Sequence, residues 1–419
     1  MAQPVATSVD TVPSLVIDQY RAHLSSARAS LGEMFGGDIE VSSRGPWVQT
    51  AAGRRLLNCG GYGVLLMGAR HPRVVGAVCR QLQTNPVATR LLLEPEVAAA
   101  AAALAAVTPA GLNRVHFAGA GAEAVEAAIK MARAQGRRHL VAMTGGYHGK
   151  TLGALSVTAN GVFQDPFRPL LPQVSHVPYG RADALAERLR TLPDGGACVI
   201  VEPVQGEAGV IVPPAGYLRE VQHLCARHAA FFVLDEVQTG LGRLGHWWGA
   251  DRDGVTPDVL LVGKGLSGGV VPVSAAVATD EAFAAFDRDP FIHTSTFSGN
   301  PLAMVAARAA IEVIREERLV EAAARIGATL LTELAATARA VLGRRVAAVR
   351  GAGLLIGMEF TVPGLAGDLL LELMSAGVIA NHSLNSDRVL RLTPPAVLTD
   401  SDVQFLLDAF ERAARAVLN

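Results

Sequence analysis

The sequence has no CxxC cysteine pair, almost no net charge and no long apolar run, and each of these features excludes a class of protein. Its four cysteines, Cys59, Cys79, Cys198 and Cys225, are scattered over 419 residues, which argues against a disulfide framework or structural zinc. Lysine and arginine number 37 against 38 aspartates and glutamates, so no strong field attracts nucleic acid or an anionic membrane. We expect neither partner, no metal site, and reduced thiols in the cytoplasm.

Targeting and membrane-spanning segments are not expected either. Residues 1–13 lack a basic start followed by an apolar core, so they do not resemble a signal peptide. The longest apolar run, residues 97–107, is mostly alanine and too short to cross a bilayer. Because half of the residues are hydrophobic, the chain can bury a large core, and its length predicts more than one domain.

Helix-like and strand-like segments alternate regularly from about Pro72 to about residue 310. Strands are predicted at 115–119, 140–144, 198–203, 231–237, 259–264 and 273–279. This alternation predicts an α/β protein with a doubly wound, mainly parallel sheet in a large domain over residues 71–310. Residues 1–70 are expected to hold a loose arm, a helix from Ser14 to about Met34 and a small antiparallel meander. Residues 311–419 are expected to form a smaller α/β domain.

Two of the predicted strands end in charged side chains that could carry chemistry. Asp235 ends one apolar run, and Lys264 follows the next after Gly263. If both strands lie in one sheet, the two groups emerge at the carboxyl edge, where α/β sheets bind ligands. A lysine after four apolar residues must be paired, neutralised or used covalently, unless its stem reaches solvent. The pair therefore suggests a cofactor held as a Schiff base, with the acid tuning its ring nitrogen.

A glycine-rich turn at residues 119–122 precedes a helix, and its N–H groups could hold a phosphate. A dinucleotide site needs an acidic residue about 20 positions later. No such residue occurs between Glu126 and Asp165, so we exclude that class. A Walker motif is also excluded, because Lys264 is followed by glycine rather than serine or threonine. A tight turn without a ligand remains the alternative.

Further candidate groups follow other strands. Tyr147 could stack on an aromatic cofactor, with His148 beside it. Glu202 and Glu207 could be a general acid and base, although we favour a cap and a salt-bridge partner. Arg391 lies between apolar neighbours, so it needs a carboxylate from the protein or from a substrate.

Together these motifs resemble the class III pyridoxal-phosphate aminotransferases, from about Leu56 to near the C-terminus. The resemblance is carried by YHGKTL (147–152), EPVQGE (202–207), LDEVQTG (234–240), GK (263–264) and TFSGNP (296–301). Within the family, residues 149–156, 166–172 and 289–294 resemble the putrescine aminotransferases most and the ornithine aminotransferases next. The resemblance implies the fold-type-I architecture with a seven-stranded type of sheet, pyridoxal 5'-phosphate as cofactor, and a homodimer with shared active sites.

The resemblance also implies roles for single residues. Lys264 would form the Schiff base, and Asp235 would keep the pyridine nitrogen protonated. Other cofactor contacts would come from Gly121, Ala122, Tyr147, His148, Glu202, Gln238 and, toward the partner subunit's phosphate, Thr296. Substrate contacts would come from Arg391, which would bind an α-carboxylate, Glu207, which would mask Arg391, and Tyr62 and Lys150.

One departure from the family affects the phosphate site. Ala120 and Ala122 flank the glycine of the turn, where the family usually has hydroxyl residues. The backbone donors remain but the side-chain hydrogen bonds do not. We therefore expect weaker retention of the cofactor rather than its loss.

The predicted function is transfer of a terminal amino group from a diamine or ornithine-like donor to 2-oxoglutarate. Two alternatives stay open. One is an aminotransferase that installs an amine on an aldehyde or ketone of a specialised metabolite or peptide. The other is a catalytically silent dimer that serves as a binding or scaffold protein.

Overall fold

The N-terminal region forms two helices and a meander in a computed structural model that describes residues 13–418. The elements are α1 (Pro13–His23), α2 (Ser26–Met34), β1 (Glu40–Arg44), β2 (Trp47–Thr50) and β3 (Arg55–Asn58). The antiparallel meander is confirmed, but the single helix predicted from Ser14 to Met34 is wrong. The helix is interrupted at Leu24 and Ser25, because the Ser25 side chain accepts a hydrogen bond from Arg28 N and caps a second helix. The predicted arm lies outside the described residues.

Alternating helices and strands follow, as predicted. They are α3 (Pro72–Leu82), α4 (Pro95–Ala105), β4 (Arg114–Ala118), α5 (Gly121–Ala134), β5 (His139–Met143), α6 (Leu152–Val157), α7 (Gly161–Gln164), β6 (Val174–Val177), α8 (Ala182–Arg190), β7 (Ala197–Val201), α9 (Tyr217–Arg227), β8 (Phe231–Asp235), β9 (Val259–Val262), β10 (Ser274–Ala278) and α10 (Asp280–Arg288). The strands form one seven-stranded sheet in the order β4-β10-β9-β8-β7-β5-β6.

The sheet is mainly parallel, which confirms the predicted fold class. The exception is β10, which runs antiparallel to both β4 and β9. The connection from β9 to β10 contains no α-helix, and a parallel crossover needs a dozen or more residues, usually with a helix. The prediction omitted β6, which pairs with β5 at the edge of the sheet.

Side chains of the central strands alternate between two apolar layers. In β8, Phe232 and Leu234 pack in the layer that contains α9, whereas Phe231 and Val233 pack in the layer that contains α5. Every residue of β7, β8, β9 and β10 is buried. Both faces are therefore covered, which explains why these strands read as continuous apolar runs in the sequence.

The C-terminal part begins with two long helices and continues as a second α/β unit. Its elements are α11 (Pro301–Glu316), α12 (Leu319–Leu342), β11 (Val346–Ala352), β12 (Leu355–Phe360), α13 (Leu365–Ser375), β13 (Val378–Ile379), β14 (Asn381–Ser383), β15 (Ser386–Leu392) and α14 (Asp400–Ala416). One sheet has the order β11-β12-β15-β14, whereas β13 pairs with β3 and extends the N-terminal meander. The boundary predicted at residues 310 and 311 falls inside α11, and the three-domain division stays a prediction.

The segment Leu319–Arg345, which contains helix α12 and the turn after it, is long and apolar enough to cross a membrane by length and composition alone. Its buried positions, such as Ile326, Leu330 and Leu334, recur every three or four residues. They place one face of the helix in the core, where α12 packs against α14 and β11. This pattern is typical of an amphipathic core helix.

Candidate active site

A cavity of about 520 Å³ opens at the carboxyl edge of the parallel strands. Its walls include eleven of the predicted site residues: Tyr62, Gly121, Ala122, Tyr147, His148, Lys150, Glu202, Glu207, Asp235, Gln238 and Lys264. The volume lies within the range of about 300–1,000 Å³ that is usual for small-molecule sites. Because β8 and β9 are parallel neighbours, Asp235 and Lys264 emerge at the same edge, as the sequence predicted.

Lys264 directly follows Gly263 at the end of β9 and has a left-handed backbone conformation, with φ of +45°. Burial lowers the pKa of the Lys264 amine, and the negative charges of Glu207 and Asp235 offset part of that shift. The lowered pKa increases the fraction of neutral, nucleophilic amine. A Cβ atom added at Gly63 would lie 3.9 Å from Lys264 Cδ, so the loop beside Tyr62 closes over the lysine stem.

Asp235 is held by two contacts in the buried floor of the cavity. Its Oδ2 lies 2.7 Å from His148 Nδ1, and its Oδ1 accepts a hydrogen bond of 3.1 Å from Val237 N. Burial alone would lower the pKa of His148, but its hydrogen bond to Asp235 and the charges of Asp235 and Glu202 raise the pKa above its usual value. Sequence reasoning missed this pair, because the two residues are 87 positions apart and meet only because β5 and β8 both flank β7.

Glu202 holds the backbone of the cavity wall. Its Oε1 accepts a hydrogen bond from Tyr147 N at 3.0 Å, and its Oε2 accepts one from Gly206 N at 3.3 Å. Burial raises the pKa of Glu202 to about 7, although the positive charge of His148 opposes the shift. Glu202 thus holds two loop N–H groups, and its role as a cap or as a general acid stays a prediction.

Glu207 and Arg391 form an ion pair behind the cavity wall. Arg391 is 0% exposed and its Nη1 lies 2.5 Å from Glu207 Oε1. The other oxygen of Glu207 accepts a hydrogen bond of 2.9 Å from Leu384 N. Within residues 13–418, no guanidinium nitrogen of Arg391 has a partner with hydrogen-bond geometry. The pair matches the predicted salt bridge and leaves donors available for a second carboxylate.

The N-terminus of α5 forms the predicted backbone cup. Ala120 is its N-cap and provides no side-chain cap, so N–H groups of the first turn remain available as donors. A Cβ atom at Gly121 would lie 2.9 Å from Val237 Cγ1, and one at Gly149 would lie 2.5 Å from Ala122 Cβ. Both glycines therefore let the backbone pack closely against neighbouring side chains, where a Cβ atom would not fit.

Three predicted residues lie at the margin of the cavity or outside it. Tyr62 is exposed at the mouth, and Lys150 is exposed with its Nζ 3.9 Å from the centroid of the Phe163 ring. Thr296 does not line the cavity and is exposed in the segment between α10 and α11. The structure therefore brings Thr296 to no other predicted site residue of the same chain.

The sheet, the cup and the lysine opposite an aspartate define a pyridoxal-phosphate-dependent enzyme of fold type I. The chain belongs to the class III aminotransferases, because residues 38–414 match the model of that family. It is therefore a pyridoxal-phosphate-dependent transaminase, as the resemblance implied.

Solved structures agree with this assignment. The chain is 31% identical to the ornithine aminotransferase of Toxoplasma gondii ME49, with 91% of each chain covered and a TM-score of 0.85. It is 27% identical to an (S)-enantioselective omega-transaminase of Thermomicrobium roseum, with 97% and 99% covered and a TM-score of 0.89. The acetylornithine aminotransferase of Elizabethkingia anophelis is 28% identical, with 96% and 98% covered and a TM-score of 0.82.

The cavity fits the cofactor of this family, pyridoxal 5'-phosphate. Two buried polar atoms in its wall, His148 Nε2 and Gln238 Nε2, have no hydrogen-bond partner within the described chain. Orphaned polar atoms are unfavourable unless a ligand or water satisfies them. With the backbone donors near Gly121, these atoms would provide polar contacts for the ring and the phosphate of the cofactor. When bound, the cofactor supplies an electron sink for the substrate carbon.

Proposed function

We propose that this transaminase moves the terminal amino group of an ornithine-like or diamine donor to 2-oxoglutarate. The observation that carries the proposal is the fully buried Arg391 beside Glu207. An arginine in this position is stable while Glu207 neutralises it, and its unused donors suit an incoming carboxylate. The site therefore supports two substrate orientations, one for each half of the reaction.

In the first orientation Glu207 stays on Arg391, and the wall is electrically neutral. A donor then enters with its terminal amine toward Lys264, since no free cation in that wall repels it. In the second orientation a 2-oxo acid displaces Glu207 and its α-carboxylate binds Arg391. Because the two orientations use the same buried arginine, donor and acceptor alternate in one site.

The mouth of the cavity favours an ornithine-like donor over a diamine. Lys150 lies at the rim, stacked on Phe163 at 3.9 Å. Its positive charge attracts the α-carboxylate of an ornithine-like molecule and repels the free ammonium of a diamine. The exposed Tyr62 offers a hydroxyl on the same rim. We propose these two residues as contacts for the distal end of the donor.

Protons at the reacting carbon are handled by Lys264. Burial lowers the pKa of its amine, which favours the neutral form that can accept a proton from the substrate and return it. Asp235, paired with His148, would hold the ring nitrogen of the cofactor, and Tyr147, whose backbone N donates to Glu202, would stack on the ring.

We further propose that the protein is a homodimer. Six large apolar side chains are exposed in the segments 91–93 and 291–297: Leu91, Leu92, Leu93, Phe291, Ile292 and Phe297. A Cβ atom added at Gly299 would lie 3.6 Å from Val97 Cγ2, so the two segments are neighbours. A group of large exposed apolar side chains typically marks a protein interface. Thr296 lies in this surface, which supports its proposed contact with the partner's phosphate site.

Light scattering of the purified protein tests this proposal. We expect the mass of a dimer, and the mass of a monomer at micromolar concentration would contradict it.

We also propose a cytoplasmic location. All four cysteines are free thiols, as is usual for proteins of a reducing compartment.

Donor screening tests the proposed function. We expect the holoenzyme to form glutamate from 2-oxoglutarate with ornithine, more slowly with putrescine, and to yield the corresponding aldehydes. If neither donor supports glutamate formation but an aldehyde or ketone of another metabolite is aminated, the proposed donor is wrong. A protein that binds the cofactor yet transfers no amino group would be a scaffold instead.

A further inference from the structure

The turn between β14 and β15 extends from the C-terminal sheet into the active site. Its two residues are Leu384, whose side chain lines the cavity, and Asn385. The Asn385 amide Nδ2 donates to Gly145 O at 2.9 Å, and its Oδ1 accepts a hydrogen bond from Asn160 Nδ2 at 2.8 Å. Its backbone N donates to Glu207 O at 2.9 Å. One side chain at the tip of a hairpin thus joins the segments before and after the Tyr147 loop.

The same hairpin contacts the Glu207 carboxylate at two points. Arg391, near the far end of β15, approaches Oε1 at 2.5 Å, and Leu384 N in the turn donates to Oε2 at 2.9 Å. The carboxylate therefore spans the distance between the arginine and the turn. It can lie on Arg391 with both oxygens satisfied only while the turn stays in place.

The position of the turn depends on Asn385. Leu384 is only partly buried, and a two-residue turn has few contacts of its own. The bonds from Asn385 to Gly145 and Asn160 connect the turn to the central sheet, because Gly145 follows β5 and Asn160 is the N-cap of α7. Without that side chain, the Leu384 N–H is less well placed to hold Glu207.

We propose that Asn385 is a positioning residue that keeps Glu207 on Arg391, and thereby sets the preference between carboxylate-end and amine-end substrates. This inference rests on the proposed function, because it assumes that Arg391 receives a substrate carboxylate. When a carboxylate takes Arg391 and Glu207 turns away, Leu384 N loses its acceptor. Asn385 then limits how far the cavity wall relaxes.

The test uses the holoenzyme and glutarate, a dicarboxylate without an amine or a carbonyl, so that binding is measured apart from turnover. For Asn385→Ala we expect calorimetry to show that glutarate binds about three- to tenfold more tightly. The loss of one or two hydrogen bonds would weaken the arrangement in which Glu207 lies on Arg391, and glutarate competes with that arrangement. The KM for glutamate should fall and the KM for the amine-end donor should rise. The two kcat values should change by less than about twofold.

Two further variants make the result decisive. Asn160→Ala removes one of the two side-chain contacts and should shift glutarate binding in the same direction by a smaller factor. Asn113→Ala is the matched control, because Asn113 is exposed and its side chain bonds Asp280 far from the turn. It should leave glutarate binding unchanged.

A purely structural role for Asn385 predicts a lower melting temperature with unchanged glutarate affinity, and that outcome overturns the proposal. If Asn385→Ala fails to fold, unchanged affinity in Asn160→Ala overturns it equally. Failure of the proposed function is recognised separately: Arg391→Gln would then retain glutarate binding, or the wild-type enzyme would reject every amine-end donor.

Discussion

The two charged clusters of the cavity differ in how completely they are satisfied. In the floor, both oxygens of Asp235 and both oxygens of Glu202 have hydrogen-bonding partners, and most of these partners are backbone groups. In the back wall, Arg391 has Glu207 as a charge partner but, among residues 13–418, no hydrogen bond with good geometry. The floor is therefore built to stay fixed. The back wall is built to exchange one carboxylate for another.

Substitutions in the floor and in the back wall should therefore affect activity to different extents. Changes to Lys264, which faces both clusters, should have the largest effect. Changes to the exchangeable back wall should affect one substrate far more than the other. Changes to the fixed floor should affect all substrates alike and should depend on pH.

Replacing Lys264 with alanine should lower transamination by at least about 10³-fold with every donor, because both the covalent attachment and the proton carrier are lost. The absorbance band of the bound cofactor should also shift or disappear, which a visible spectrum measures. A variant that keeps the wild-type spectrum and rate would contradict the assignment of Lys264.

Replacing Arg391 with glutamine should raise the KM for 2-oxoglutarate by at least about 30-fold, equivalent to about 2 kcal/mol or more for a lost charge-assisted contact. The half-reaction with the amine-end donor should change much less. Stopped-flow measurement of each half-reaction separates the two effects.

Arg388 provides the control for this variant, because it lies on the same strand but is exposed. Arg388→Gln should leave both half-reactions unchanged. Equal losses in both half-reactions of Arg391→Gln would show that Arg391 supports the fold rather than the acceptor.

Replacing His148 with glutamine should lower kcat by about tenfold with all donors, because Asp235 loses a charge-assisted partner. Stability should respond to pH in a defined direction. Since the folded-state pKa of His148 is raised, its stabilising contribution is complete below the unfolded value of about 6.5 and is lost as the pH rises through the folded value.

The free energy of unfolding should therefore differ more between wild type and His148→Gln at about pH 5.5 than at about pH 9. Urea unfolding at the two pH values measures this difference. The exposed His382 serves as the control, and its glutamine variant should show no such trend. A difference that grows with pH would reverse our interpretation of the pair.

The smallest effect is expected at the phosphate cup. Ala122→Ser adds a hydroxyl next to the backbone donors and should tighten cofactor binding by about two- to tenfold. Equilibrium dialysis of the apoprotein with cofactor measures the affinity without relying on turnover. Unchanged or weaker affinity would mean that the backbone cup is already sufficient, or that the serine crowds Gly149.

Much of this arrangement was predictable because it depends on strand ends. Asp235 and Lys264 each end an apolar run, and adjacent parallel strands bring such ends together without further information. The edge strand β6 escaped prediction because its short sequence mixes serine and histidine with two valines. The helix break at Ser25 escaped because a serine cap competes with an otherwise helical pattern.

The side-chain contacts between distant segments could not be predicted from the sequence. His148 and Asp235 meet because β5 and β8 both flank β7, and no spacing along the chain encodes that geometry. Asn385 reaches Gly145 and Asn160 only because the C-terminal sheet packs against the cavity. The polar residues between two strand-like runs predict a turn at Asn385, but they do not predict which segments the turn contacts.

The pairing of β13 with β3 has a consequence for the order in which the site forms during synthesis. Cys59 N donates to Ile379 O, and Cys59 O accepts from Thr393 N, so the loop that leads to Tyr62 is anchored by a segment that is synthesised long after it. A nascent chain that already contains Asp235 and Lys264 still lacks the segment that supports the loop at the mouth of the cavity. Truncated translation products should therefore carry the lysine in an open, unfinished pocket.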